Sequence, residues 1–280
     1  MEVTTPQTGP IFCIEPSRGW TALKLGELWH YRELLYFLAW RDIKVRYKQS
    51  ALGAGWALLQ PLATMAIFTL IFGRLANMPS DGLPYSVFAF TGLLPWNYFA
   101  QALTRSSTSL VSNGGLISKV YFPRLIVPLS AAIAPLVDFA VAFIALVCMM
   151  LWFSITPTWH WMILPFCLSF AAISAFAVGL WLAALNVRYR DVAHTIPFLV
   201  QFWMFASPVA YPASLVPAKW RVLYGLNPMA GVIEGFRWCL LGTGTLDLRT
   251  LAVSALTVLV LLWGGAIFFK RMERTFADVV

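Results

Sequence analysis

Residues 250–269 read TLAVSALTVLVLLWGGAIFF, a continuous apolar run without a charged side chain. A helix that crosses a membrane needs about 20 such residues. Four further runs reach that length, at residues 52–73, 87–110, 125–153 and 161–185. A sixth run, at residues 196–209, is shorter and is interrupted at Ser207-Pro208. The sequence therefore predicts an all-α polytopic membrane protein with six transmembrane helices.

The composition excludes a soluble protein. Of the 280 residues, 60% are apolar and 11% are charged, whereas an ordinary globular domain carries about 25% charged residues. A single soluble core of this length does not bury so much apolar surface. A disordered chain, a fibrous protein and a secreted disulfide scaffold are excluded too, and the 4 cysteines show no metal-type spacing.

The distribution of positive charge predicts the orientation. Fourteen of the 20 Lys and Arg residues fall in segments that lie on one side of the membrane if six spans are drawn, and five fall on the other. Cytosolic segments are enriched in Lys and Arg. Both termini are therefore predicted to be cytosolic, and residues 1–27, which lack a signal-peptide core, form a cytosolic segment.

Two regions outside the spans have helical character of their own. Residues 28–50 begin LWHYRELLYFLAWRDIKVRYK, with apolar and basic side chains at roughly helical spacing, which predicts an amphipathic helix in the inner interface. Residues 211–242 are semi-polar and broken by proline and glycine. Their apolar pieces are too short to span, so we expect re-entrant half-helices buried in protein or facing water.

The loop at residues 112–124, SNGGLISKVYFPR, opens with a flexible Asn-Gly-Gly and then offers a short apolar and basic helix closed by Pro123. Such a segment suits docking on another protein, and an ordinary connecting loop is the alternative. The sequence lacks enzyme motifs, including the GxxxxGK[ST] phosphate loop, and predicts neither a metal site nor a cofactor. Asp138 is the one acidic residue within the spans, and either a functional group or a structural ion partner fits it.

Aromatic side chains make up 15% of the chain and gather on two spans. Rings at span ends form interfacial belts, whereas rings beside glutamine within a span suit a path for sugars, because ring faces stack on pyranoses. Both interpretations remain open from composition. The candidates for the path are Trp96, Tyr98, Phe99 and Gln101, with Phe198, Gln201, Phe202, Phe205 and Tyr211.

Five motifs, taken in order, carry a family resemblance. They are WRDIKVRYKQSALGAGWALLQP at 40–61, KVYFPR at 119–124, LNVRYRDV at 185–192, SPVAYP at 207–212 and LNPM at 226–229. Together they resemble the permease subunit of type-2 ABC exporters for polysaccharides, the group that handles O-antigen, capsule and teichoic acid chains. The resemblance extends over residues 32–274.

The resemblance implies a bacterial inner-membrane homodimer that pairs with two copies of a separate ATPase. Residues 51–270 would form the transmembrane domain, residues 211–242 the periplasmic gate, and residues 271–280 a cytosolic tail. The coupling helix would lie within residues 112–124, with ATPase contacts from Leu116, Ile117, Lys119, Val120, Tyr121, Phe122 and Arg124. The substrate would be a glycan on a lipid carrier, whose diphosphate would meet Arg41, Lys44, Arg46 and Lys48.

Three alternatives compete with this interpretation. In the first alternative, the chain is a type-2 ABC exporter for a drug or a lipid. In the second, it is a proton-coupled secondary transporter that uses Asp138. The third, a membrane enzyme acting on lipid-linked sugars, lacks a convergent set of acid, base or metal-binding residues. The glycan and its carrier are not identified by sequence.

Overall fold

The computed structural model describes residues 25–48, 53–156, 158–242 and 247–279, and this part of the chain contains helices and no strand. The first 24 residues of the predicted N-terminal segment lie outside it. The helices are α1 (Leu25–His30), α2 (Arg32–Lys48), α3 (Gly53–Phe68), α4 (Tyr85–Ser112), α5 (Gly114–Ile117), α6 (Ile126–Ile133), α7 (Pro135–Trp152), α8 (Leu164–Arg188), α9 (Val192–Phe205), α10 (Ala218–Tyr224), α11 (Pro228–Leu241) and α12 (Leu248–Val279). A π-helical segment, Thr69–Leu75, extends α3, and short 3₁₀ turns occupy Trp159–Ile163 and Ala213–Leu215.

Within the described residues, four helical stretches are long and apolar enough to cross a membrane: Gly55–Leu75, Ile126–Trp152, Trp159–Arg188 and Leu248–Glu273. The other two predicted spans correspond to α4 and α9. The 28 residues of α4 extend about 42 Å, enough for a hydrocarbon core of about 30 Å, but they include many polar side chains. The 14 residues of α9 reach about 21 Å. The all-helical membrane fold is confirmed, and the count of six spans stays a prediction.

The polar helix α4 lies at the centre of the bundle. It packs against α3, α6, α7, α8 and α11, and most of its side chains are buried. Its polar groups find partners within the protein: the Ser106 hydroxyl donates to the carbonyl oxygen of Pro128 at 2.9 Å, and the Asn186 amide donates to that of Ser107 at 3.1 Å. Because neighbouring helices rather than lipid surround α4, it tolerates a composition that lipid-facing helices avoid.

One tight contact between α4 and α8 depends on a glycine. A Cβ added to Gly179 on α8 would lie 2.9 Å from the Cβ of Ser106. Small residues at such positions let two membrane helices pack with their backbones close together. A larger side chain here must therefore push the two helices apart.

Gly179→Leu is expected to destabilise the bundle by about 2 kcal/mol, since overpacking a tight contact typically costs 1–3 kcal/mol. The unfolding temperature of the purified protein in detergent measures this effect. Gly26→Leu is the matched control, because a Cβ at Gly26 meets no atom within 4 Å. Equal stability of the two variants would contradict the tight α4–α8 contact.

Besides the main hydrophobic core around α4, the bundle contains another hydrophobic cluster, which we name the second cluster. It lies at the end of the bundle that is predicted to be cytosolic and joins elements from distant parts of the sequence. It contains Leu38 of α2, Leu110 of α4, Ile117 of α5, Phe122 of the following loop and Phe276 of α12. The predicted tail contributes to it because α12 continues to Val279. Residues 271–279 thus continue the helix of the last span, and their cytosolic location stays a prediction.

The region predicted as one interface helix is divided at Tyr31 into α1 and α2. Leu28, Tyr31, Leu34 and Leu35 pack against the second cluster, as their spacing predicts. Trp40 and Val45 do not join this apolar face, and both are exposed. Trp40 lies one helical turn from Lys44, so it shares the basic side of α2.

Candidate functional site

Five side chains meet where the end of α2 reaches α4 and α7, and we name them the inner polar cluster: Arg46, Tyr47, Gln101, Arg105 and Asp138. The guanidinium of Arg46 lies 2.5 Å from a carboxylate oxygen of Asp138. It also donates to the side-chain oxygen of Gln101 at 2.9 Å. The Tyr47 hydroxyl donates to the second oxygen of Asp138. The ion pair therefore fixes the end of α2 against the bundle.

Asp138 is buried, with 5% of its side chain exposed, and both of its oxygens face donors on α2. Burial, followed by the hydrogen bond to the Asp138 carboxylate, raises the pKa of Tyr47 to about 12. Tyr47 consequently keeps its proton at physiological pH and stays a donor. Of the two interpretations of Asp138, the structure supports the ion partner.

Arg105 completes the cluster without a direct partner. Its half-buried side chain interacts electrostatically with Arg46, Asp138 and Asp42. It forms neither a hydrogen bond nor an ion pair with any residue that the structure describes. An unpaired arginine inside a helical bundle is a marker of function in membrane proteins.

The other basic residues predicted to contact a diphosphate face elsewhere. Arg41 donates to Asp42 at 2.8 Å and to Asn113 at 2.8 Å, which ties α2 to the start of the 112–124 loop. The ammonium group of Lys44 lies 5.5 Å from the ring centre of Trp40. Lys44 and Lys48 line an outward groove with Tyr36, Phe37 and Val45. Of the four predicted residues, Arg46 joins the inner polar cluster.

The predicted coupling segment separates into a buried and an exposed part. Ile117 and Phe122 are buried in the second cluster and Leu116 packs at its edge. Arg124 donates to the backbone carbonyl of Glu273 on α12 and lies 5.9 Å from the ring centre of Phe276.

Within the exposed part, we name three consecutive residues the docking tip: Lys119, Val120 and Tyr121. All three are exposed, Val120 by 52% and Tyr121 by 75%. The buried part packs against residues of α2, α4 and α12. This arrangement presents an apolar and basic surface on a buried base.

The motifs SPVAYP and LNPM meet through one side chain. The Asn227 side-chain oxygen accepts from the backbone of Met229 at 3.0 Å and from the Trp203 indole at 2.9 Å. Its amide group donates to the carbonyl oxygen of Ala206 at 3.2 Å and to the Ser207 hydroxyl at 2.9 Å. Asn227 thus caps α11 and fastens the end of α9 to it.

Arg237 holds the same region from within α11. It is buried and donates to the carbonyl oxygens of Val209 at 2.7 Å and Tyr211 at 3.2 Å. Its guanidinium lies 3.7 Å from the ring centre of Phe88. A Cβ at Gly92 would come within 2.8 Å of this guanidinium, so the space for Arg237 depends on that glycine. The predicted gate region is therefore anchored to α4.

The predicted path residues fall into two groups. Trp96, Tyr98 and Phe99 are buried in the core, and Gln101 belongs to the inner polar cluster. Phe198, Gln201, Phe202 and Phe205 lie exposed on α9. Tyr211 is partly exposed and its hydroxyl lies 3.1 Å from that of Tyr224. The structure does not bring the α4 and α9 rings to one surface, although Phe99 contacts Trp203.

Residues 33–241 match the family model described as ABC-2 type transporter. The chain belongs to the ABC-2 type transporter family. This match covers the exposed docking tip, the inner polar cluster and the α9–α11 junction. The resemblance carried by the five sequence motifs is thereby confirmed.

This ABC-2 protein is similar along almost its whole length to transport proteins for polysaccharides. It is 29% identical over 256 residues to the O-antigen export system permease protein RfbA of Myxococcus xanthus, covering 91% of this chain and 98% of that one. It is 29% identical over 250 residues to an RfbA protein of Klebsiella pneumoniae, covering 89% and 95%. It is 24% identical over 242 residues to the polysialic acid transport protein KpsM of Escherichia coli, covering 84% and 91%.

Three residues of this ABC-2 protein were not singled out by sequence reasoning as site residues. Asn227 had a local signal, because asparagine followed by proline is a typical helix start. Arg105 had a weaker one, since it is a charged residue within a predicted span. Arg237 had none, because its partners are backbone carbonyls that lie 26 and 28 positions away.

Proposed function

We propose that this chain is the channel-forming permease subunit of an ATP-driven exporter of polysaccharide. Its substrate is a lipid-linked glycan, O-antigen or a similar cell-surface chain, which moves from the cytosol to the periplasm. The observation that carries the proposal is the near full-length similarity to O-antigen export permeases, which covers 91% of this chain and 98% of the Myxococcus xanthus relative. A shared whole-chain architecture is a stronger basis than one shared motif.

In this proposal the energy source is a separate ATPase, in keeping with the similarity to proteins named as permeases of export systems. Two permease subunits pair with two ATPase subunits in the bacterial inner membrane, and both termini face the cytosol. The docking tip is the surface for the ATPase. The buried residues below the tip, Ile117 and Phe122, belong to the second cluster together with residues of α2, α4 and α12. A movement of the ATPase therefore displaces all three helices as a rigid body.

The exposed aromatic residues of α9 suit the wall of the translocation path. Phe198, Phe202 and Phe205 leave their rings uncovered by the rest of the protomer, and such rings stack on sugar faces. Residues 211–242 serve as the periplasmic gate: α10 and α11 are 7 and 14 residues long, too short to span the bilayer.

A tagged pull-down from mild detergent tests the proposal. We expect a partner ATPase at close to one copy per permease chain, with vanadate-sensitive ATP hydrolysis. A matched strain lacking the permease is expected to lose its surface glycan. A homo-oligomer that retains no ATPase, in a strain with normal surface glycan, would overturn the proposal.

Asp138→Asn separates an ABC exporter from a proton-coupled transporter. In the proposed exporter the carboxylate is an ion partner, so the asparagine variant is expected to keep ATP-dependent export provided that it folds. A proton-coupled transporter needs an ionisable group at this position and would lose transport. Surface glycan display, measured in the variant at wild-type permease level, distinguishes the two.

A further inference from the structure

The inner polar cluster carries more positive than negative charge. Arg46 and Arg105 contribute two cations, and Asp138 contributes one carboxylate. The nearby carboxylate of Asp42 is already bound to Arg41, at 2.8 Å. Among the described residues, the immediate cluster therefore has one uncompensated positive charge within a bundle made mostly of apolar side chains.

The two arginines also have unused hydrogen-bond donors. A guanidinium has five N–H donors. The Nη1 atom of Arg46 is buried and has no hydrogen-bond partner among the described residues. Arg105 binds none of them directly. Charge and donor geometry both point to an anion, and guanidinium forks match the oxygens of phosphate groups.

We propose that Arg46 and Arg105 bind the phosphate of a membrane lipid. Arg105 lies seven residues before the end of α4, which places it about 10 Å inside the bundle. The cluster opens outward, because 25% of the Arg46 side chain is exposed. The site thus differs from the outward groove of Lys44 and Lys48. That the lipid is the glycan carrier rests on the proposed function; a phospholipid headgroup offers the same chemistry.

The remaining members position Arg46 and limit the affinity. Gln101 and Asp138 hold its guanidinium, and Tyr47 holds Asp138. The Asp138 carboxylate repels an incoming phosphate while it orients the arginine. Removing its charge should therefore strengthen phosphate binding, whereas removing the charge of Arg105 should weaken it. A purely structural cluster would not give these opposite signs.

The test is a titration of the full-length permease, purified in mild detergent with whatever partner copurifies, with farnesyl diphosphate as probe and farnesol as its uncharged analogue. Arg105→Gln is expected to weaken diphosphate binding about tenfold or more, the value of one charge-assisted hydrogen bond. Arg105→Lys should restore part of it. Lys44→Gln, the matched control on the outer groove, should stay within about twofold of wild type.

Asp138→Asn is expected to bind the diphosphate at least about threefold more tightly, in keeping with the loss of a nearby like charge. Unchanged binding by Arg105→Gln in a folded variant would overturn the proposal. If Arg105→Gln fails to fold, weaker or unchanged binding by Asp138→Asn overturns it, and tighter binding supports it.

Competition with phosphatidylglycerol identifies the source of the phosphate. Displacement of the diphosphate at equal concentration assigns the site to lipid headgroups, and no displacement assigns it to a diphosphate carrier; both support a lipid-phosphate site. These binding results do not depend on the ATPase. If no ATPase copurifies but the diphosphate still binds, the proposed export function is refuted and the phosphate site is not. If an ATPase copurifies but the diphosphate does not bind, the phosphate site is refuted and the export function is not.

Discussion

Tyr121→Asp is expected to abolish export while the permease remains folded. Tyr121 of the docking tip is exposed by 75%, and Val120 beside it is exposed by 52%. Apolar rings of this kind dominate protein interfaces, where loss of one hot-spot residue costs about 2 kcal/mol or more. A carboxylate at this position must be desolvated on docking, and the change also removes the apolar ring. Loss of ATPase copurification and of surface glycan measures the effect.

Two variants show whether docking, rather than folding, is affected. Tyr121→Phe keeps the ring and should retain export. Ile117→Asp places a charge at a side chain that is only 6% exposed, so it should lower the unfolding temperature and the permease level instead. Normal export and ATPase binding by Tyr121→Asp would show that the ATPase docks elsewhere.

Asn227→Ala is expected to destabilise the junction of α9 and α11 by about 3–4 kcal/mol. The change removes a helix cap, worth about 1 kcal/mol, and three further hydrogen bonds of about 1 kcal/mol each. Its partners, Trp203, Ala206 and Ser207, belong to α9 or directly follow it. Thermal unfolding in detergent measures the loss, and proteolysis near residues 206–212 should increase because this segment is released.

Asn227→Asp separates the contribution of the side-chain acceptor from that of the amide donors. The aspartate keeps an acceptor for Met229 and Trp203 but loses the amide donors to Ala206 and Ser207, so an intermediate loss is expected. Ser169→Ala is the control, since the exposed Ser169 hydroxyl bonds only to the carbonyl of Pro165 in its own helix. A stability of Asn227→Ala equal to that of Ser169→Ala would refute the junction.

The sequence predicted the membrane class and most helix positions because both depend on local composition. The apolar run at 250–269 appears within α12, and the proline at 208 follows α9 closely. The division of the 125–153 run was less visible: Pro135 starts α7 immediately after α6 ends at Ile133. The resemblance to polysaccharide exporters, which the family match and the similar O-antigen and polysialic acid transport proteins confirm, also depended on local motifs.

The side of a helix on which a residue acts was harder to predict. Arg41, Lys44, Arg46 and Lys48 look equivalent in sequence, but only Arg46 meets Asp138 of α7. In the same way, the coupling segment supplies both a buried base and the docking tip. Burial in each case depends on residues about 90 or more positions away, such as Asp138 for Arg46 and Phe276 for Phe122.

By itself, the sequence determined that this is a helical membrane protein of the ABC-2 type, since hydropathy and short motifs are properties of neighbouring residues. Only the tertiary structure decided which charges are paired and which are free. Arg105, Asp138 and Arg237 are single charges within apolar stretches, and their roles depend on partners brought close by helix packing. A buried charge is stable only with such partners, and the packing of α2, α4, α7 and α11 supplies them to Asp138 and Arg237. The half-buried Arg105 has no direct partner among the residues that the structure describes.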